Sequence, residues 1–227
     1  MITEALARME GLLGQWEEHE DRRAVFLDCY ARMTRAMCAS LDDETFDDPA
    51  WVSELLDRFA VHYFDAVERW DAGGDDVPTP WGIAFEAAAA GDRSVLQLLL
   101  VGVNAHINYD LVLTLVELLD PVWGELDAEL LASRRRDYDR VNDVIAATAD
   151  EVQDMVVERH APRLDIVDTM FGRADEWMAV RLLSSWREDV WRHASSLLDG
   201  DAASRPQRLD RRARGCVRRS RIILVRA

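Results

Sequence analysis

One long apolar segment, residues 95–119, constrains the fold of this chain more than any other feature. Ser94 before it is a typical helix N-cap, and Pro121 after it is a typical stop signal. A helix that is apolar on nearly all sides is either buried in a protein core or embedded in a membrane. Because Asp110 and Glu117 interrupt the segment, we expect a buried core helix rather than a membrane span.

The rest of the chain has the composition of a helical protein. Its 227 residues are 49% hydrophobic and 31% charged, with only eleven Gly and six Pro, and few helix breakers favour helix. Apolar periodicity predicts an all-α, single-domain bundle of several helices around a central buried apolar helix at about 94–119. The predicted helices cover residues 2–18, 22–40, 49–70, 79–90, 94–119, 127–159 and 173–198, with a break near Ser133.

Charge is divided unevenly along the chain. The net charge is −16, yet residues 205–227 carry nine Arg and a single Asp. An acidic body repels phosphates, so we expect no non-specific binding of nucleic acid. We predict a helical domain over 1–200 and a basic, disordered C-terminal tail over 201–227. The alternative for the tail is a basic arm that folds onto the acidic body or onto an anionic partner.

The cysteines and the N-terminus predict a cytoplasmic protein. Cys29, Cys38 and Cys216 form an odd, scattered set, which is typical of reduced thiols. Glu4 and Glu10 near the start, without a basic stretch before them, do not fit a secretory signal. We therefore expect no membrane partner, and the sequence leaves the oligomeric state open.

Four polar residues at the centre of the apolar segment are the strongest candidates for function. They form two i,i+4 pairs on nearly opposite faces of a helix, His106 with Asp110 and Asn104 with Asn108. A buried polar group without a partner costs about 1–3 kcal/mol, so each needs a protein, metal or ligand partner. We predict that all four are catalytic, and that Gly102 nearby permits close approach of a helix or ligand.

Two other helices also present a histidine with a carboxylate one turn away. They carry the pairs His62 with Asp65 and Asp189 with His193, and Asp139 lies in a polar cluster on a further helix. Helical bundles build metal sites from facing side chains of this kind, and imidazole with carboxylate suits zinc, iron or manganese. The predicted ligands of a divalent metal are His62, Asp65, His106, Asp110, Asp139 and His193.

The core motif resembles that of a known family. The runs Gly102–Leu111, His62–Ala66 and Asp137–Asn142 are similar to those of all-helical actinobacterial proteins of unknown function with an N-A-H-I-N-x-D-L core. A looser similarity links His106 and Asp110 to the HxxxD ligand pairs of the zinc-dependent phospholipase C and single-strand nuclease group. That similarity implies a zinc site, although this chain has only five histidines.

Three functions remain open from the sequence. The first is a metal-dependent hydrolase or lyase that acts on a small, apolar molecule at His106 and Asp110. The second is a metal-free isomerase or cyclase with His106 as general base. The third is a non-catalytic helical interaction module, in which the polar cluster fixes helix register.

Overall fold

The computed structural model describes residues 2–43, 45–160 and 173–225, and the regular structure of these ranges is helical throughout. This confirms the predicted all-α fold. The helices are α1 (Ile2–Glu18), α2 (Ala24–Asp42), α3 (Pro49–Asp71), α4 (Thr79–Ala89), α5 (Val95–Ala105), α6 (Leu111–Leu119), α7 (Ala128–His160), α8 (Arg173–Leu198) and α9 (Arg205–Ile223), with a π-helical turn, His106–Asp110, between α5 and α6.

Local capping explains why the helix boundaries could be read from the sequence. Asp48 accepts a hydrogen bond from the backbone N–H of Trp51 at 3.0 Å and so caps α3. Ser94 and Gln97 form a reciprocal capping box at the start of α5. Gly91, which follows α4, has a φ of +75°, a left-handed conformation that favours glycine.

The central helix, as we call the continuous segment Val95–Leu119, lies inside the bundle. By length and composition it could cross a membrane, but 67% of its most apolar window is buried within the protein. Its first half packs against α2, α4 and α9, and its second half packs against α3 and α8. Gly102 faces α2, where a Cβ atom would lie 2.5 Å from the ring of Phe26. The prediction that Gly102 permits a close approach is therefore confirmed for a neighbouring helix.

Two expectations about regular structure were wrong. Helix α7 runs without a break through Ser133. Residues 205–223, expected to be disordered, form α9, which packs against α4 and the central helix. Cys216 and Ser220 are 1% and 0% exposed on its inner face. The alternative of a basic arm folded on the acidic body is the one that the structure shows, for instance through an ion pair from Arg205 to Asp120 at 2.7 Å.

Candidate functional site

The four central polar residues lie in or beside a π-helical turn. Residues His106–Asp110 are wound more widely than an α-helix, and the backbone N–H of Leu111 donates to the carbonyl of His106, five residues back. Single π turns inside α-helices occur frequently at functional sites because they redirect side chains without ending the helix. The turn therefore marks the centre of the bundle as the first place to look for function.

His106 and Asp110 form a buried pair on one face of the π turn. His106 Nδ1 lies 3.0 Å from Asp110 Oδ2, and the two side chains are 4% and 1% exposed. The indole Nε1 of Trp81, in α4, donates hydrogen bonds to both oxygens of the carboxylate, at 3.1 and 2.9 Å. Asp110 thus orients the imidazole, and Trp81 orients Asp110.

An aromatic cage surrounds the imidazole. The ring of Phe59 stacks on it with centroids 3.5 Å apart and planes 10° apart. The ring of Tyr30 lies edge-on at 4.3 Å, and Phe26, Tyr63 and Trp81 complete the cage at 5.7–6.2 Å. Packing on several sides, together with the hydrogen bond to Asp110, fixes the plane of the imidazole.

Burial changes the protonation of both members of the pair. It lowers the pKa of His106 well below the ordinary value of 6.5, with a smaller lowering from the nearby His62. It raises the pKa of Asp110 well above 3.8, and the hydrogen bond from Trp81 opposes that rise. Because the two groups share a hydrogen bond, they titrate as a unit. The pair therefore takes up one proton readily, which makes it electrically neutral, and resists a second.

Two polar atoms of the cage have no hydrogen-bond partner among the described residues. They are His106 Nε2 and the hydroxyl of Tyr63, and both are buried. Burial also raises the pKa of Tyr63, so its hydroxyl stays protonated. A narrow crevice of about 20 Å³, lined in part by Tyr63, Trp81 and Gly102, reaches the cage. That volume holds about one water molecule.

Asn104 and Asn108 lie on the other face of the central helix, where their hydrogen bonds join it to α9. Asn104 Nδ2 donates to the carbonyl of Cys216 at 3.0 Å and to Ser220 Oγ at 2.9 Å. Asn108 Nδ2 donates to Asn104 Oδ1 at 3.1 Å, and Arg212 donates to the carbonyl and side-chain oxygens of Asn108. Both asparagines predicted to be catalytic thus have partners within the fold. We call these hydrogen bonds of Asn104 and Asn108, which join the central helix to α9, the asparagine seam.

The comparison with protein families covers nearly the whole chain. The model of a family of unknown function, DUF5995, matches residues 2–226. The chain belongs to DUF5995. No curated protein and no solved structure matches it.

In this DUF5995 chain the six predicted metal ligands are spread over several parts of the bundle. His62 Nε2 lies 3.3 Å from Glu117 Oε2, and Asp65 is exposed. Asp139 accepts a hydrogen bond from Arg135 at 2.8 Å. The described residues include no group of three His, Cys, Asp or Glu side chains placed to hold a metal ion.

The remaining predicted ligands have other charged or hydrogen-bonding groups beside them. His193 lies between α8 and α9, beside Arg208 and Arg212. At the central pair, the indole N–H of Trp81 donates to both oxygens of Asp110.

Sequence reasoning missed the residues that surround the imidazole. No function was predicted for Phe59, Tyr63 or Trp81, since an aromatic residue at helical spacing is usually part of a core. Tyr63 follows the candidate His62 directly, and Trp81 opens a helix beside Pro80. Neither signal identifies a partner on another helix, so only the packing of α3 and α4 against the central helix reveals the cage.

Proposed function

We propose that this protein is a metal-independent enzyme that moves a proton on a small, apolar molecule, with His106 as the general base. One observation carries the proposal. His106 Nε2 is buried with no hydrogen-bond partner in the described part of the chain, while Asp110 contacts the other ring nitrogen. A general base needs a free lone pair and a fixed orientation, and an imidazole held by a carboxylate supplies both.

The protonation of the pair suits proton abstraction. In its basic form the pair consists of a neutral imidazole, whose proton lies on Nδ1 in the hydrogen bond to Asp110, and an ionised carboxylate, so the pair carries one negative charge in an apolar setting. Taking a proton from a carbon acid onto Nε2 neutralises that charge, and burial favours the neutral state. The proton then returns to a different carbon of the same molecule, so the reaction is an isomerisation with no net gain or loss of atoms.

Tyr63 provides the complementary group. Abstraction of a proton next to a carbonyl moves negative charge onto the carbonyl oxygen, and a hydrogen-bond donor stabilises that charge. The Tyr63 hydroxyl is buried, has no partner among the described residues, and lies in the same cage as His106. We assign it the role of donor to the substrate oxygen.

The shape of the site limits the substrate. The crevice is lined by apolar and aromatic side chains, with Arg22 and Arg23 as its charged lining residues. Its volume of about 20 Å³ is smaller than any organic substrate. Binding therefore requires the cage to open, for example by movement of α4 relative to α2, and it favours compact apolar ketones.

Hydrogen–deuterium exchange into model substrates tests the proposal without knowledge of the natural substrate. The protein is incubated in D₂O with a panel of cyclic and β,γ-unsaturated ketones, and proton NMR follows loss of signal at the acidic carbon. We expect wild-type protein to accelerate exchange for at least one compound and His106→Asn to reduce that acceleration by about 100-fold or more, the usual size of a general-base contribution. Chelators should leave the rate unchanged.

A surface histidine provides the matched control. His19 is exposed, and its ring contacts only the carbonyl of Gln15 among the contacts described for it. The His19→Asn variant should catalyse deuterium exchange into the ketone at the wild-type rate. The Tyr63→Phe variant should still bind the ketone but catalyse its exchange more slowly. Equal exchange rates with wild type and with His106→Asn would contradict the proposal. Loss of catalysed exchange in the presence of chelators would instead favour a metal-dependent enzyme.

A further inference from the structure

A basic cavity of about 400 Å³ lies between α8 and α9, away from the His106 face of the central helix. Its lining includes His193 from α8 and four arginines from α9, Arg208, Arg211, Arg212 and Arg219. A volume of this size falls within the usual range of small-molecule sites. The chain as a whole has a net charge of −16, so four arginines around one cavity form a local region of opposite charge.

In the part of the chain that the structure describes, most arginines of the cavity lack the carboxylate partner that two other arginines of the same helix have. Arg205 pairs with Asp120 at 2.7 Å, and Arg214 pairs with Asp210 at 2.5 Å. Of the four arginines that line the cavity, only Arg212 has a carboxylate partner among the described residues, which is Asp189. The positive charge at the cavity thus exceeds the negative charge that the described part of the fold supplies there.

The other three arginines make neutral contacts or none that the structure describes. Arg208 donates to the carbonyl of Ser196 at 2.8 Å and to its hydroxyl at 2.7 Å. Arg219 donates to Asn104 Oδ1 at 3.2 Å and lies over the ring of Trp186. Arg211 is exposed at the rim. The contacts of Arg208 and Arg219 hold their guanidinium groups in place without neutralising them.

His193 adds a polar atom to the same wall. Its Nε2 is buried and has no hydrogen-bond partner among the described residues. Burial together with the charges of Arg212 and Arg208 lowers its pKa, and Asp189 opposes this in part. Burial is the largest cause, and the two arginines add to it because a like charge disfavours a protonated imidazole.

We propose that this cavity binds a soluble small molecule through an anionic phosphoryl group. Guanidinium groups present paired N–H donors that match phosphate oxygens, and phosphate groups carry the charge needed to balance several arginines. His193 Nε2 provides a further contact at the wall. The inference stands independently of proton transfer at His106, since it rests on different residues on a different face.

Isothermal titration calorimetry with pyrophosphate tests the inference, with sodium chloride adjusted to keep the ionic strength constant. We expect saturable binding of one pyrophosphate per chain. Arg211→Gln should weaken binding at least about fivefold, because it removes one guanidinium contact without a described structural partner. Arg208→Gln should weaken it as well. Arg221→Gln provides the matched control, since Arg221 is exposed on the same helix and does not line the cavity.

The ring resonances of His193 provide an independent readout on the same samples. Bound pyrophosphate should raise the pKa of His193, because it offsets the positive charges nearby. Absence of saturable binding would overturn the inference, and so would equal weakening by Arg211→Gln and Arg221→Gln, which would indicate diffuse attraction to α9. Binding to vesicles containing phosphatidic acid without binding to pyrophosphate would also overturn it, because the ligand would then be a lipid headgroup.

Discussion

At the scale of single residues, the buried pair of His106 and Asp110 links function to stability through pH. A folded histidine with a lowered pKa binds fewer protons than the unfolded one, so its contribution to stability is complete above pH 6.5 and declines as pH falls below that value. A folded carboxyl with a raised pKa binds more protons than the unfolded one. It favours folding as pH falls towards 3.8. In wild type the two contributions oppose each other between these values.

Single substitutions should separate the two contributions. Between about pH 4 and 6.5, Asp110→Asn should lose stability relative to wild type as pH falls, because the lone buried His106 then resists protonation. His106→Asn should gain stability relative to wild type over the same range. The slopes should differ from wild type in opposite directions, each by up to about 1.4 kcal/mol per pH unit for one proton. Chemical denaturation at a series of pH values measures them, and parallel curves for all three proteins would contradict the shifted pKa values.

At the scale of helices, the asparagine seam explains why a strongly basic segment is ordered. Asn104 on the central helix contacts Cys216 and Ser220 on α9, 112 and 116 residues away. Gln97 extends the contact towards the C-terminal end of α9 by donating to the carbonyl of Ile223 at 3.0 Å. The seam satisfies buried polar groups on both helices, so each side depends on the other.

Removal of Asn104 should therefore loosen α9 more than the rest of the bundle. Asn104→Leu leaves Ser220 and the carbonyl of Cys216 without their donor, and it should lower the free energy of unfolding by about 1–3 kcal/mol. Hydrogen exchange followed by mass spectrometry should show faster exchange in peptides from Arg205–Ile223, with little change in peptides from α1. Ser220→Ala removes one acceptor and is the milder control. Unchanged exchange in α9 would show that apolar packing, and not the seam, holds this helix.

At the scale of the whole molecule, the sequence predicted the helices well and their partners poorly. Caps and stop signals such as Ser94 and Gly91 act within a few residues, so they can be read directly. The two faces of the central helix could also be predicted, since 100° per residue places His106 and Asn104 far apart. The residues that contact each face could not be predicted, because Trp81 and α9 come from distant parts of the chain.

The error over α9 has a physical cause. Its sequence carries eight arginines and few apolar residues, a composition that is typical of disorder when considered alone. Arginine side chains can nevertheless donate to carbonyls and asparagines of a neighbouring helix, as Arg212 does with Asn108. Order in such a segment arises from contacts with the acidic body, which only the three-dimensional structure reveals.

The protonation of His106 Nε2, followed by nitrogen NMR on histidine-labelled protein across about pH 4–9, tests the central claim most directly. The signal is assigned by its loss in His106→Asn. If His106 is a general base oriented by Asp110, Nε2 changes between its protonated and unprotonated forms within this range, and Asp110→Asn shifts that transition to lower pH. A ring whose Nε2 stays protonated throughout, with no response to Asp110→Asn, would instead identify His106 as a structural residue of the core.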